Sequence, residues 1–324
     1  MLRLLLHLPL LLLASIRIAA QDPSFVWHTP RTDYLFTEEV EPAYVLGSDV
    51  ALRVSPKMDG ALVTELPVGT KLSLEERGAD TLVHNGIGSA WYRVKAGKVE
   101  GWIWGGNIAQ RTFGSTADPT VKFVAGIDHI VPCTAVDRID FSYRIVALRE
   151  GRELDRIVVR SFSWFFGEVT NHGDRGLKNV DDVITVEVPC VGGCGCSAGD
   201  VVIFWSGGKF HHVAELTGSP DVAYSTGTDF IYPADMEGQA GVIIRVNRDY
   251  SEPTEVEKAV MRKENEELDE AEGSEEAEGS EVVDDQQHGY ITRFVTREYL
   301  SWDGNALVPS GRPREERHYP MAVD

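Results

Sequence analysis

Short runs of alternating apolar and polar residues follow one another along most of this chain, cut at close intervals by turn residues. From Tyr44 onward the runs are Tyr44-Val45-Leu46, Ala51-Leu52-Arg53-Val54, Leu62-Val63 and Lys71-Leu72-Ser73-Leu74, followed by Trp91-Tyr92-Arg93-Val94 and Trp102-Ile103-Trp104. A two-residue period in such brief segments predicts strands. Gly60, Pro67-Val68-Gly69, Asn85-Gly86-Ile87-Gly88, Gly97 and Gly105-Gly106 supply turn chemistry and leave no room for a long helix. Strands packed this closely predict a small barrel over residues 41–110.

The rhythm continues in a second region, residues 115–310, with strand-like runs at 121–125, 141–148, 156–166, 183–188, 201–205 and 241–246. The stretch Ser161 to Phe166 is apolar on both faces near its end, which predicts burial between layers and hence a β-sandwich-like domain. Trp205-Ser-Gly-Gly-Lys-Phe210 and Trp302-Asp-Gly-Asn-Ala-Leu307 share a W-x-G-x-x-apolar pattern and predict two hairpins. A true repeat and the demands of turn chemistry explain that echo equally well. The fold class is therefore all-β, with residues 21–40 read as a linker and 311–324 as a tail.

Charge changes the picture at one place. The chain holds 51 acidic and 31 basic residues, a net of -20. Residues 252–285 hold fifteen Asp or Glu against three Lys or Arg, so -12 of that total is local. The hexapeptide Glu-Ala-Glu-Gly-Ser-Glu occurs in tandem at 270–275 and 276–281. Such a composition buries too little apolar surface to order itself, and 252–287 reads as a disordered acidic insertion. At its start, Thr254 and Glu257 fit a capping box ahead of a short exposed helix. An acidic surface repels phosphate backbones, so nucleic acid is excluded as a partner.

Residues 1–20 read as a secretory signal, with Arg3 as its positive start, an apolar stretch from Leu4 to Ile16, and Ala19-Ala20 before a cut near Gln21. The stretch is too short to span a membrane, and the mature protein is expected to be exported, periplasmic or extracellular. Export makes Cys133, Cys190, Cys194 and Cys196 disulfide candidates. One of Cys194 and Cys196 is expected to pair with Cys190 and the other with Cys133, since one intervening glycine makes a Cys194–Cys196 bond awkward. A zinc set with His211 or His212 is the alternative, although the spacing is not the usual paired C-x-x-C. No metal and no cofactor are expected.

The first region carries a resemblance. Val50-Ala-Leu-Arg-Val54, Leu66-Pro-Val-Gly-Thr-Lys-Leu72, Trp91-Tyr-Arg-Val94 and Gly101-Trp-Ile-Trp104 resemble, in order, the elements of the bacterial Src-homology-3-like (SH3b) domain of exported proteins. The resemblance implies a small barrel that serves envelope proteins as a binding or targeting module, frequently for wall peptides, and implies no catalysis. Trp91, Tyr92, Trp102 and Trp104 are then the candidate ligand platform, because an aromatic strip stacks on an extended peptide and excludes water. The opposing reading is that these rings fill the barrel. More loosely, Phe204-Trp205-Ser206-Gly207 and Phe230-Ile231-Tyr232-Pro233 resemble segments of exported β-rich proteins in which such a barrel precedes a second domain.

An enzymatic alternative rests on Ala198-Gly-Asp-Val-Val-Ile-Phe204 and His211-His212-Val213, which resemble two strands of the NlpC-type cell-wall cysteine peptidases. That chemistry needs a thiolate at a helix start beside the imidazole. Cys133 sits instead in Val-Pro-Cys-Thr-Ala-Val, ahead of a strand-like run, and Cys196 lies too close to Gly199 for an intervening helix. The expected function is accordingly a non-catalytic envelope protein whose barrel binds a wall peptide, glycan or protein partner. The alternative is a peptidase using Cys133 or Cys196 with His212.

Overall fold

A computed structural model describes residues 26–27, 43–132, 139–161, 168–188, 198–219, 224–260 and 291–319. The leader, all four cysteines, Phe162 to Phe166 and most of the acidic insertion lie outside the described residues. Among those described, helical backbone occurs only at Gly105–Asn107 and at 255–260, and the chain is otherwise strand and turn.

The first sheet holds β1 (Val26–Trp27), β2 (Ala43–Tyr44), β3 (Val50–Arg53), β4 (Leu62–Leu66), β5 (Lys71–His84), β6 (Ile87–Ala96) and β7 (Val99–Trp104). Its order is β2-β5-β6-β7-β3-β4, with β1 added in parallel to β6. Alternation sets the inside, where Leu52, Tyr92, Val94, Ile103 and Ile108 form the barrel core. The β5–β6 turn takes Asn85 and Gly86 at positive φ, as a two-residue hairpin with the right strand twist requires.

Three further sheets follow in chain order. The second is the meander β8 (Arg111–Gly114), β9 (Val121–Pro132), β10 (Ile139–Arg149) and β11 (Arg152–Ser161). The third is β12 (Val169–Asn171), β13 (Asp182–Val188), β14 (Ala198–Ser206) and β15 (Lys209–Gly218). The fourth joins β16 (Tyr224–Ile231), β17 (Ile243–Ser251), β18 (Ile291–Trp302) and β19 (Leu307–Pro309). In the tail, β20 (Glu315–His318) pairs with β18.

The layers stack because their central strands are apolar on both faces. In the second sheet, Phe123, Ala125, Tyr143, Ile145 and Ala147 face the third sheet, meeting Ile184, Val186, Ile203 and Trp205. Val124, Val146 and Leu148, on the opposite face, meet Tyr44, Leu46, Val68 and Ala109 of the barrel. In the third sheet, Val183, Val202 and Phe204 turn the other way and meet Phe230, Ile243 and Leu300 of the fourth. The sandwich expected over 115–310 is thus present, extended by a third sheet. The barrel lies close against it: a Cβ on Gly69 would fall 2.7 Å from Leu148 Cδ1.

Both expected hairpins form, with different turns. Ser206 pairs with Lys209 across Gly207-Gly208, both at positive φ, whereas Trp302 pairs with Leu307 around a four-residue loop. In that loop one Asp303 carboxylate oxygen accepts the N–H groups of Asn305 and Ala306, both at 2.8 Å. What the two share is turn chemistry. The capping box is also present: Thr254 N donates to Glu257 Oε2 at 2.7 Å and Glu257 N to Thr254 Oγ1 at 3.3 Å. Glu257 is then gripped by both terminal nitrogens of Arg293, at 2.7 and 2.8 Å. Ser251 pairs with Ile291, so the acidic segment leaves the sheet and returns to it at adjacent points.

One buried carboxylate ties the second sheet to the third. Asp182, fully buried, accepts bonds from Ser115 Oγ, from Thr116 N at 2.8 Å and Oγ1 at 2.7 Å, and from Asn171 Nδ2 at 2.9 Å. Among the described residues its partners are hydrogen-bond donors alone, with no cation beside them. Asp182→Ala strands these donors, and we expect it to lower the unfolding free energy by about 3 kcal/mol in urea titration. The exposed substitution Lys209→Ala should stay within about 0.5 kcal/mol of the parent.

Candidate ligand-binding surface

The aromatic strip is neither a bare platform nor the barrel core. Tyr92 points inward and belongs to the core, so it offers no ring to a ligand. Trp91, Trp102 and Trp104 alternate with inward-facing Tyr92 and Ile103 and therefore lie on the outer face. Yet Trp91 and Trp104 are only 3% and 5% exposed. Ile127 of β9 packs on them from the second sheet, together with Ile87 and Leu82 of the β5–β6 hairpin. Trp104 Nε1 also donates to the Leu82 carbonyl at 3.2 Å.

A bulge in β5 adds to the cover. Arg77 pairs with Tyr92 and Thr81 with Ala90, so three residues, 78–80, oppose Trp91 alone. A Cβ on Gly78 would sit 3.1 Å from Trp102 Cζ3 and 3.2 Å from the Trp91 carbonyl oxygen, which shows how closely this backbone crosses the rings. Trp102 alone of the three keeps an open edge.

Register places Trp102 at the centre of a row across the outer face. Leu62 pairs with Arg53, Arg53 with Trp102, and Trp102 with Arg93. Around this row apolar side chains are exposed, with Val54 64% and Met58 46% exposed in the loop between β3 and β4 and Leu62 55% exposed at the start of β4. Arg93 pairs with Glu100 and, at 3.9 Å, with Glu76. Residues 43–110 hold seven basic side chains (Arg53, Lys57, Lys71, Arg77, Arg93, Lys95, Lys98) and seven acidic ones (Asp49, Asp59, Glu65, Glu75, Glu76, Asp80, Glu100). The barrel thus carries none of the net charge of -20. An exposed apolar patch around an aromatic ring, on a neutral module, is suited to a peptide or glycan surface.

With this geometry in view, comparison with known families is decisive for the first region: the family model for the bacterial SH3 domain matches residues 48–109. Residues 48–109 are a bacterial SH3 domain. No curated protein and no solved structure matches the chain.

Elsewhere, two arrangements mimic chemistry. Asp128 Oδ2 lies 2.8 Å from His129 Nδ1, and His129 Nε2 lies 3.3 Å from Ser142 Oγ, an acid–imidazole–hydroxyl order. Ser142 is 2% exposed and Asp128 is also paired with Arg144, so the chain of bonds clasps β9 to β10 with its hydroxyl shut away from a substrate. Adjacent residues 128 and 129 gave no warning of it in sequence, because Ser142 arrives only by strand register. His212 sits half-exposed on strand β15, 3.7 Å from Glu215. It lies six positions before Gly218, the partner of Ala198 at the strand end leading from the Cys190–Cys196 segment, a separation of roughly 20 Å along the strand. Among the described residues no group of three His, Cys, Asp or Glu is arranged to hold a metal ion.

The last cluster faces the fourth sheet. Asp200 stands across from Glu187 in the β13–β14 ladder, and its carboxyl is held above the usual range by burial first and then by Glu187. His172, whose Nε2 lies 2.9 Å from Thr185 Oγ1, is held below its usual value by burial and by Arg175. For Asp200 the native state disfavours ionisation. The stability of the neutral form is therefore fully present below its unfolded value of about 3.9 and is lost as the pH rises through the raised native value. We expect Asp200→Asn to raise Tm by about 2 °C at pH 7.5 and to leave it unchanged at pH 3, as scanning calorimetry would read.

Proposed function

We propose that this is an exported envelope protein whose bacterial SH3 domain binds an extended wall peptide across the Trp102 face. The observation that carries this reading is the row Leu62, Arg53, Trp102 and Arg93 on the outer face, open where Trp91 and Trp104 are covered. An extended peptide lies across such a row with its backbone over the ring and its side chains among Leu62, Val54 and Met58. Export is supported by the leader-like residues 1–20, and no described helix is long and apolar enough to cross a membrane. Binding without hydrolysis is favoured because His212 lies on a strand, far from the end at which the cysteine-bearing segments join.

The test uses the mature chain and purified envelope sacculi. The parent should be retained on sacculi without releasing soluble fragments. Trp102→Ala should weaken retention at least about tenfold, as expected when an aromatic anchor is truncated, while His212→Ala should leave it unchanged. Released peptides that disappear in His212→Ala would replace binding with hydrolysis.

We further propose disulfides among Cys133, Cys190, Cys194 and Cys196. Support comes from Pro132, Val188 and Ala198, the strand ends that lead into their segments. Gly114 and Asp182 are joined through Asn171 at the opposite end of the sandwich, so these strand ends share one end. Intact-mass measurement of the exported protein with and without reductant should show a gain of about 4 Da on reduction. Four alkylatable thiols before reduction would refute the pairing.

A further inference from the structure

One cation on the Trp102 face is fixed in place without being neutralised. Arg53 Nη1 donates to the Gly60 carbonyl at 2.7 Å, and among the described residues no carboxylate pairs with it. That is notable in a chain with 51 acidic side chains, and Arg93, on the far side of Trp102 in the same row, is satisfied by Glu100 and Glu76. The carbonyl that holds it belongs to a tight loop. Gly60 N donates to Lys57 O at 3.0 Å, and a Cβ at Gly60 would lie 2.7 Å from Ser55 Oγ and 2.9 Å from Ser55 O. The loop therefore needs glycine at this point, and it presents a carbonyl that uses one guanidinium donor, the rest of the fork having no hydrogen-bond partner among the described residues.

We infer that this face selects ligands bearing a carboxylate, gripped by Arg53 while the adjoining aliphatic part lies against Trp102 and Leu62. The inference rests on the reading of the Trp102 face as the ligand surface and names the chemistry that face prefers. A guanidinium offers two parallel N–H donors that match a carboxylate, and a fork already oriented loses less freedom on binding. Apolar neighbours exclude water from the pair, which strengthens it relative to an open surface. The neutral balance of the barrel matters as well, since an acidic module would repel the same ligand.

The experiment titrates the mature protein with three peptides and follows the Trp102 indole signal by NMR: acetyl-trialanine as the free acid, the same peptide as its C-terminal amide, and acetyl-Ala-Glu-Ala-amide. The first and third distinguish a terminal from a side-chain carboxylate, and the second carries none. At least one acid should bind about tenfold more tightly than the amide. Arg53→Gln should abolish that preference, and Arg53→Lys, which keeps the charge and loses the fork, should restore part of it. Equal binding of acids and amide by the parent, a preference that survives in Arg53→Gln, or no peptide binding by a protein retained on sacculi through Trp102 would each overturn the inference and leave the binding reading intact. Retention on sacculi that is indifferent to Trp102→Ala would instead remove the reading beneath it.

Discussion

A strand that is apolar on both faces needs a cover on each, and that requirement organises this protein. The central strands of the second sheet meet the third sheet through Phe123 and Ile145 and the barrel through Val124, Val146 and Leu148. The third sheet repeats the arrangement toward the fourth through Val202 and Phe204. Remove one layer and the next is left with a wet apolar face. The barrel is therefore one layer of a stack, and docking onto it consumes part of its own outer surface.

That consumption decides which aromatic ring is available. Ile127 reaches across from β9 to cover Trp91 and Trp104, and the β5 bulge crosses beside them, leaving the edge of Trp102 open. The small exposed region that remains has an aromatic ring, aliphatic neighbours and one oriented guanidinium. A small surface of that kind favours modest affinity with chemical selectivity, since few side chains are available to anchor a ligand.

Much of this was legible in the residues because it is local. Asn85-Gly86, Gly207-Gly208 and Asp303-Gly304-Asn305 form the expected turns, and Thr254 and Glu257 form the expected capping box. The fate of the tryptophans was not legible, because Ile127 approaches from another sheet and no periodicity in 91–104 encodes its arrival. The same limit applies to Asp182, whose donors lie up to 67 residues away, and to Arg53, which becomes part of the face only through its register with Trp102. The doubly buried strands turned out to include β9, β10 and β14; the continuous run Val201 to Trp205 carries that signal, diluted in β9 and β10 by Lys122 and Arg144.

Hydroxyl-radical footprinting of the mature protein, read tryptophan by tryptophan in the mass spectrometer, tests the central claim most directly. Trp102 should oxidise several-fold faster than Trp91 and Trp104 and become protected when sacculus fragments are added. Oxidation of Trp91 and Trp104 as fast as Trp102, or protection that falls on them instead, would contradict the stacked arrangement and the surface it leaves open.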